Sequence, residues 1–394
     1  MARDHWGEVR RRGRASFSSF TYALPTEIIF GRGALSHLPD VLGRLGCRSP
    51  LVVMDAAVRQ LAAIQESLDR LQAAGCRCVL FADVRSEPST GLVEQAADAA
   101  TRGRCDCVLG IGGGSALDAA KAAAALATNP GGPLTYAGRD KLQVAPLPIV
   151  AVPTTAGTGS EVTMWSVLTD ERSGRKVSIG SWLLMPRVAL LDPDLTLTLP
   201  PTVTAATGVD ALSHALESYV STRTNPITEA LALGAIELIG RHLRTAVQQG
   251  DDEGARSGML LASLMAEMAA NTTRLGLAHA LALPLGARYR IPHGLAITIV
   301  LPYVADYNQA AEPERYTKVM ALLGRPGNQP LEGLRELLSE IGARQQLAPW
   351  AGIEVDTRAV AEEAMTSDNV LANPREAGVE EMEEILCRAL EDLR

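Results

Sequence analysis

The chain has 394 residues, more than one ordinary domain holds, so its length predicts two or three domains. Hydrophobic residues make up 47% and charged residues 21%, which excludes a disordered or collagen-like protein. The net charge of −8 argues against a nucleic-acid partner and favours a small-molecule partner. Aromatic residues are only 4%, so we expect an α or α/β fold.

The first 20 residues are rich in arginine, and we interpret 1–20 as a basic N-terminal extension. Asp4 and Glu8 interrupt the positive charge that a transit peptide would show, and a secretory hydrophobic segment is missing. No window of the sequence approaches the roughly 18 apolar residues of a membrane span. The sequence therefore predicts a protein without a membrane partner.

Residues 21–199 alternate short β-branched runs with longer Ala- and Leu-rich segments. We predict strands at 51–54, 76–81, 107–111 and 149–153 and helices at 58–74 and 92–102. This rhythm is typical of a doubly wound parallel sheet, whose ligands bind at the carboxyl ends of the strands. The fold class predicted for this part is an α/β nucleotide-binding domain.

Two Cys-x-Cys pairs, at 76/78 and 105/107, begin two of these apolar runs. Neither pair is accompanied by the second Cys or His pair that zinc sites usually show. We therefore expect buried thiols in strands and a reducing, cytoplasmic location.

A glycine-rich turn follows the run 107–111 and leads into an Ala-rich helix. Glycines let the backbone approach a bound group, and the free N–H groups at a helix start favour phosphate oxygens. A tight strand-to-helix turn also needs glycine, and Ser115 replaces the third glycine of G-x-G-x-x-G. The predicted cofactor contacts here are Gly112, Gly113, Gly114, Ser115 and Asp118.

Two further segments complete the predicted cofactor site. Asp55 closes the run 51–54, where its carboxylate could accept the ribose 2′-hydroxyl and repel a 2′-phosphate, favouring NAD while leaving NADP possible. An Asp in that place is equally often a helix N-cap. Thr154, Thr155 and Thr158 follow the run 149–153 and offer hydroxyls to the ribose and nicotinamide, although such residues are also common in loops.

Prolines and threonines at 192–201 interrupt the alternating pattern, and strand-like runs become rare after them. Segments such as 228–248 and 255–270 have apolar residues at i, i+3 and i+4. We therefore predict that residues 200–394 form an all-α domain, with the site in the cleft between the two domains.

Three of the six histidines occur in a pattern with one aspartate. Asp210 and His214 are one helical turn apart, so both can reach one ion. On an unbroken helix His279 and His293 would be about 21 Å apart, so the chain must bend between them at Pro284, Gly286 or Pro292. Surface or capped side chains are the alternative for each residue alone.

These segments together resemble the iron-containing, or group III, alcohol dehydrogenase family. The resemblance covers nearly the whole chain and is carried by Phe30-Gly31, Gly112–Ser115, Pro153–Thr158, Gly208–Ala215, Pro292-His293-Gly294 and Asn373-Pro374-Arg375. It implies a nucleotide-binding domain and a helical domain that holds one divalent metal, Fe(II) or Zn(II). The implied ligands, catalytic through the metal, are Asp210, His214, His279 and His293.

The chain departs from the family pattern around the substrate. Leu283 stands where relatives usually have a histidine near the nicotinamide that is implicated in proton transfer. Relatives usually have Phe where this chain has Ala270, glycine where it has Arg274, and a small polar residue where it has Trp165. An arginine beside hydroxyl groups can hold an anion, unless it points outward and pairs with a surface acid.

The resemblance implies a metal-dependent, NAD(P)-linked alcohol dehydrogenase or aldehyde reductase, expected to be a homodimer. The substrate predicted from Arg274 is a small aldehyde with an anionic tail, such as phosphonoacetaldehyde or a semialdehyde. The alternatives are a lyase similar to dehydroquinate synthase and a non-catalytic relative that binds metal or nucleotide.

Overall fold

The computed structural model describes residues 19–84 and 87–393, so most of the predicted N-terminal extension lies outside the described residues. The strands are β1 (Glu27–Phe30), β2 (Pro50–Asp55), β3 (Val79–Val84), β4 (Cys107–Gly112), β5 (Gly138–Arg139), β6 (Ile149–Pro153), β7 (Trp165–Thr169), β8 (Lys176–Gly180) and β9 (Val188–Leu191). The first helices are α1 (Leu38–Arg44), α2 (Ala56–Arg59), α3 (Ala62–Ala73), α4 (Thr90–Arg102) and α5 (Gly114–Leu126).

Six strands form a parallel sheet in the order β1-β9-β6-β4-β2-β3. Its central strands β2, β4 and β6 are buried except at Asp55, the last residue of β2, because helices cover both faces. Helices α1 and α3 pack on one face, and α4 and α5 on the other. This doubly wound arrangement confirms the predicted α/β class. The chain order reverses between β2 and β4, so their carboxyl ends form the crevice where such sheets bind ligands.

The remaining helices follow β9 and make up the second part of the molecule. They are α6 (Pro201–Val220), α7 (Pro226–Gln248), α8 (Glu253–Thr273), α9 (Leu277–Tyr289), α10 (His293–Asn308), α11 (Pro313–Leu322), α12 (Pro330–Glu340), α13 (Thr357–Ala364) and α14 (Val379–Glu391). Residues 200–393 contain no strand, as predicted. The domain limits at 20/21 and 199/200 stay predictions. Among the described helices, none has the length and hydropathy needed to span a membrane.

Several details of the sequence prediction were wrong. The helix predicted at 58–74 is divided into α2 and α3, and the strand predicted at 76–81 starts only at Val79. Cys76 still belongs to the turn that ends α3, since its N–H bonds to Leu71 O at 2.9 Å. Of the four cysteines in the Cys-x-Cys pairs, only Cys107 lies in a strand, and all six cysteines are free thiols.

Two larger features also differ from the prediction, the second only in part. A second sheet, with the order β5-β8-β7, was missed. Between the two predicted ligand histidines the chain bends at 290–292, where Arg290 has φ 55° and Pro292 is the N-cap of α10 as the prediction allowed, whereas Pro284 and Gly286 are accommodated inside α9.

The glycine after His293 allows α10 to approach α6 closely. A Cβ at Gly294 would lie 2.4 Å from Ala206 O, and neither backbone can retreat without moving its helix. At Gly43 in α1, by contrast, a Cβ would meet nothing within 4 Å.

We expect Gly294→Ala to lower the free energy of unfolding by about 1–3 kcal/mol, because it overpacks the α6–α10 contact. Gly43→Ala is the matched control and should be neutral or stabilising by up to about 1 kcal/mol, since alanine favours helix. Denaturant unfolding of both variants measures this, and a Gly294→Ala protein as stable as the parent would contradict it.

Candidate metal and cofactor site

Three helices bring the predicted ligands together. Asp210 and His214 lie one turn apart on α6. His279 lies in the first turn of α9, and His293 is the first residue of α10. Asp210 Oδ1 is 3.6 Å from Nε2 of His214, 3.6 Å from Nε2 of His279 and 3.4 Å from Nε2 of His293. The structure thus places the three predicted imidazoles around one oxygen of the Asp210 carboxylate.

The four side chains differ in their position within this group. Single ligand atoms of Asp210, His279 and His293 all lie within 4.8 Å of one another, and His214 is the outer member. The His214 ring stacks on that of His279 with 4.8 Å between centroids. The side chain of His293 is 34% exposed while the other three are at most 7% exposed, so the site opens beside His293.

The chemistry of this group suits a divalent cation. Asp210 Oδ1 and His279 Nε2 are buried without a hydrogen-bond partner among the described residues. Such orphaned groups are costly unless something binds them. One carboxylate oxygen and three imidazole nitrogens are ligands that iron(II) and zinc(II) both accept. These residues therefore fit a metal of the predicted kind.

Charges around the group tune its protonation. Burial lowers the pKa of His214 to about 4, so its ring stays neutral. Burial also opposes protonation of His279, but the carboxylates of Glu217 and Asp210 outweigh it and raise the pKa to about 9. Burial would raise the pKa of Asp210, yet the nearby imidazoles hold it well below its usual range. The group is thus an anionic centre bordered by imidazoles.

Glu217 is a part of this site that the sequence analysis missed. Its Oε2 lies 2.6 Å from His279 Nδ1, and its Oε1 accepts the N–H of Ala278 at 2.7 Å. The same carboxylate therefore orients the ring and anchors the first turn of α9. Its spacing was a usable signal, because Glu217 follows His214 by three residues on α6.

The glycine turn lies at the carboxyl end of β4, in the crevice formed with β2. Gly112 has φ 149°, which favours glycine, and Gly113 is the N-cap of α5. Ser115 stands in the first turn of that helix and is partly exposed. The free N–H groups of this turn could hold phosphate oxygens.

Asp55 closes β2 beside the glycine turn. Its Oδ1 accepts the N–H of Val58 at 2.7 Å, so the N-cap alternative is correct. Its Oδ2 would lie 3.7 Å from a Cβ at Gly112, so the same carboxylate also borders the crevice. A cavity of about 490 Å³ lies nearby, lined by Ala56, Arg59, Gln60, Gln65, Leu80, Ala82 and Asp83. An adenosine could be held here.

The threonine loop covers the other side of the glycine turn. The N–H of Thr154 bonds to Gly112 O at 3.0 Å. A Cβ at Gly113 would lie 3.3 Å from Thr155 Oγ1, and one at Gly114 would lie 2.9 Å from Thr158 Oγ1. The predicted glycine and threonine segments therefore come together.

Asp118 and Lys121, both on α5, bind the residues that follow the threonine loop. Asp118 Oδ1 accepts from Ser160 Oγ at 2.6 Å, and its Oδ2 accepts from the N–H of Val167 at 2.9 Å. Both oxygens of Asp118 thus have partners within the protein, and a direct cofactor contact stays a prediction. Lys121, which the sequence analysis missed, is fully buried and donates to Thr163 Oγ1 at 2.8 Å. A single lysine in an Ala-rich helix was the available signal.

Three of the four predicted substrate residues, Trp165, Ala270 and Arg274, lie together at the end of α8. The guanidinium of Arg274 lies over the Trp165 ring, 4.5 Å from its centroid. It makes no hydrogen bond or ion pair with the described residues, so it does not pair with a surface acid. Ala270 is buried one turn earlier, and Arg274 N–H bonds to its carbonyl at 2.9 Å. Leu283 lies one turn after His279 on α9 and is partly exposed.

Comparison with known proteins agrees with this architecture. Residues 25–193 match the family described as iron-containing alcohol dehydrogenase, and residues 204–390 match the C-terminal part of that family. The chain is 38% identical over 385 residues to the 1,3-propanediol dehydrogenase of Citrobacter freundii, covering 95% of this chain and 100% of that protein. It is 34% identical over 371 residues to the sulfoacetaldehyde reductase of Bilophila wadsworthia, covering 91% and 96%.

Solved structures show the same likeness. A 1,3-propanediol oxidoreductase superimposes with a TM-score of 0.90 at 38% identity, covering 94% of this chain and 100% of the other. The sulfoacetaldehyde reductase of Bifidobacterium kashiwanohense in complex with NAD+ gives a TM-score of 0.85 at 31% identity, covering 95% and 99%. This chain belongs to the iron-containing alcohol dehydrogenase family. It is an alcohol dehydrogenase that acts on an alcohol/aldehyde pair, so the lyase and non-catalytic alternatives are set aside.

Proposed function

We propose that this enzyme is a metal-dependent, NAD-linked reductase of a short aldehyde that carries an anionic tail. The observation that carries the proposal is the Arg274 guanidinium, which lies over Trp165 without an anionic partner among the described residues. The 34% identity to a sulfoacetaldehyde reductase supports it, because that protein's named substrate has such a tail. Phosphonoacetaldehyde and a semialdehyde have the same chemistry.

The backbone of Arg274 supports a functional reason for an arginine at this position. Its φ of 65° and ψ of 173° belong to a region that is almost restricted to glycine. Holding another residue there costs roughly 1–3 kcal/mol, and such strain clusters at functional sites. A glycine would end α8 without this cost but would supply no positive charge.

The electrostatic surroundings of Arg274 also favour an anion. Burial lowers the pKa of its guanidinium, and Arg223 and Arg139 lower it further, while Asp368 and Glu267 oppose them. Arg139 pairs in register with Gly180, which in turn contacts the Trp165 ring. Three arginines from separate parts of the fold thus act on one region. A carboxylate, sulfonate or phosphonate there would relieve their mutual repulsion.

We propose that Asp210, His214, His279 and His293 hold one divalent ion, with iron named by the family and zinc as the other candidate. When bound, the ion polarises the carbonyl oxygen and the reduced nicotinamide supplies the hydride. Glu217 orients His279 for this task. Leu283 offers no proton-transfer group, so the proton would have to come from the substrate oxygen's own surroundings at the metal, a water chain or the cofactor ribose.

We propose that Gly112–Ser115 holds the cofactor pyrophosphate and that Thr155 and Thr158 contact the nicotinamide half, because these segments meet at the carboxyl ends of β4 and β6, beside the β2–β4 crevice. A cytoplasmic location agrees with the six free cysteines. The homodimer stays a prediction.

His279→Ala and His293→Ala are each expected to abolish tight metal binding, because three remaining ligands leave an open site with little hold on the ion. Activity should fall with metal content. Metal analysis after dialysis measures this, with His37→Ala as the control, since His37 is an exposed histidine on the other domain. Full metal content in both ligand variants would refute the assignment.

We expect the parent enzyme to prefer NADH, because the Asp55 carboxylate repels the 2′-phosphate of NADPH. Asp55→Asn keeps the helix cap and removes the charge, so it should narrow the preference for NADH over NADPH by about tenfold, or ~1.4 kcal/mol. Asp55→Gly should narrow it as well. Steady-state kinetics with both cofactors measure this preference. If the parent enzyme prefers NADPH, Asp55 does not select the cofactor and serves only as the helix N-cap.

Arg274→Ala should lower kcat/KM for an anionic aldehyde such as phosphonoacetaldehyde by an amount equal to about 2–3 kcal/mol of transition-state stabilisation, because it removes a charge-assisted contact. A neutral aldehyde of equal length should be affected little. Arg274→Lys is the matched control that retains the charge, and it should keep part of the selectivity. If Arg274→Ala lowers kcat/KM equally for the anionic and the neutral aldehyde, Arg274 does not bind the anionic tail of the substrate.

A further inference from the structure

A second carboxylate, Glu267, reaches the metal-binding group from α8. The side chain is buried, and its Oε2 lies 3.1 Å from Nδ1 of His214. The two atoms are close but not aligned as a hydrogen bond, and neither has another hydrogen-bond partner among the described residues. Two complementary polar atoms therefore face each other in a dry environment. Orphaned pairs of this kind call for an explanation.

The surrounding backbone is shaped to admit this side chain. Gly159 has φ 57°, and a Cβ there would lie 2.2 Å from Glu267 Cβ. Any larger residue at 159 would push α8 away from the site. The approach of Glu267 to His214 is therefore built into the packing between the threonine loop and α8.

His214 is also the ligand that most needs support. Its Nε2 faces Asp210, but the ring lies outside the compact trio of Asp210, His279 and His293. His279 is already oriented by Glu217 through a contact of 2.6 Å. On His214 the corresponding place, beside Nδ1, is held by Glu267 alone among the described residues. A histidine that binds a metal through one nitrogen usually donates the N–H of the other to such a partner.

We propose that Glu267 is a positioning residue for the metal site. Its carboxylate accepts the Nδ1–H of His214, which fixes the tautomer with a free lone pair on Nε2 and directs that nitrogen toward Asp210. A small rotation of the ring aligns the contact when an ion is bound. This inference rests on the proposed function only because it takes the four residues as metal ligands.

The test measures metal affinity rather than turnover. Co(II) is titrated into the metal-free parent, Glu267→Ala, Glu267→Gln and His214→Ala, with a competing chelator and the visible absorption of bound cobalt as readouts. We expect Glu267→Ala to weaken Co(II) binding by about 10- to 100-fold and to alter the cobalt spectrum. Glu267→Gln keeps the volume and can still accept the N–H, so it should restore most of the affinity.

Ser263→Ala is the matched control. Ser263 lies one turn before Glu267 on α8, is buried, and has no hydrogen-bond partner for its hydroxyl among the described residues. It should bind Co(II) like the parent, which separates a general disturbance of α8 from the loss of the carboxylate. Thermal unfolding of each metal-free variant verifies that the fold is retained.

The outcomes separate the two proposals. If the parent binds no metal at this site, the proposed function itself fails. If the parent binds Co(II) and the Co(II) affinity of Glu267→Ala is within about twofold of the parent's, only the positioning role is overturned. If Glu267→Gln loses as much affinity as His214→Ala, Glu267 is itself a ligand, and the positioning role is again overturned.

Discussion

The buried carboxylate of Asp210 is the constraint on which the site depends. One of its oxygens lies 3.4–3.6 Å from three imidazole nitrogens and has no hydrogen-bond donor among the described residues. A buried anion without a partner is strongly unfavourable, and only a cation or protonated rings can compensate it. The helices α6, α9 and α10 are therefore packed around an interaction that the protein alone leaves incomplete. The divalent ion that we propose for this site would complete it.

Small residues let these helices come close enough for that purpose. Gly294 brings the first turn of α10 onto α6, and Gly276 leaves room for Glu217, whose Oε1 would lie 2.8 Å from a Cβ there. Glu217 then bonds both the backbone and a ring of α9. The orientation of His279 is thus fixed by close helix packing together with the side-chain contact to Glu217.

The sequence predicts those parts of the protein whose signals are local. The four-residue spacing of Asp210 and His214 and the strand-turn-helix pattern at Gly112–Gly114 both depend on neighbours in the chain, and the structure brings each set together. The antiparallel β7–β8 pair of the three-stranded sheet is also local, so its strand runs at 165–169 and 176–180 were a usable signal that was missed. The β5–β8 pair was missed because β5 has two residues and pairs with β8 about forty residues later, a contact that no local pattern records. Glu267 was missed for the same reason, since its partner His214 lies on another helix.

Helix α8 links the metal end of the site to the proposed tail end. Glu267, Asn271 and Arg274 recur at i, i+4 and i+7, so they share one face over about 10 Å. Glu267 faces His214, Asn271 Oδ1 accepts the N–H of Met164, and Arg274 covers Trp165.

The strain at Arg274 fits the same picture. A backbone in that region costs roughly 1–3 kcal/mol, while a cation–π contact returns about 0.5–2 kcal/mol. The two contributions nearly balance, so the Trp165 ring can hold the guanidinium in place before any anion arrives. The proposed anionic tail would then meet a charge that is already positioned, and its binding would require little further ordering of the arginine.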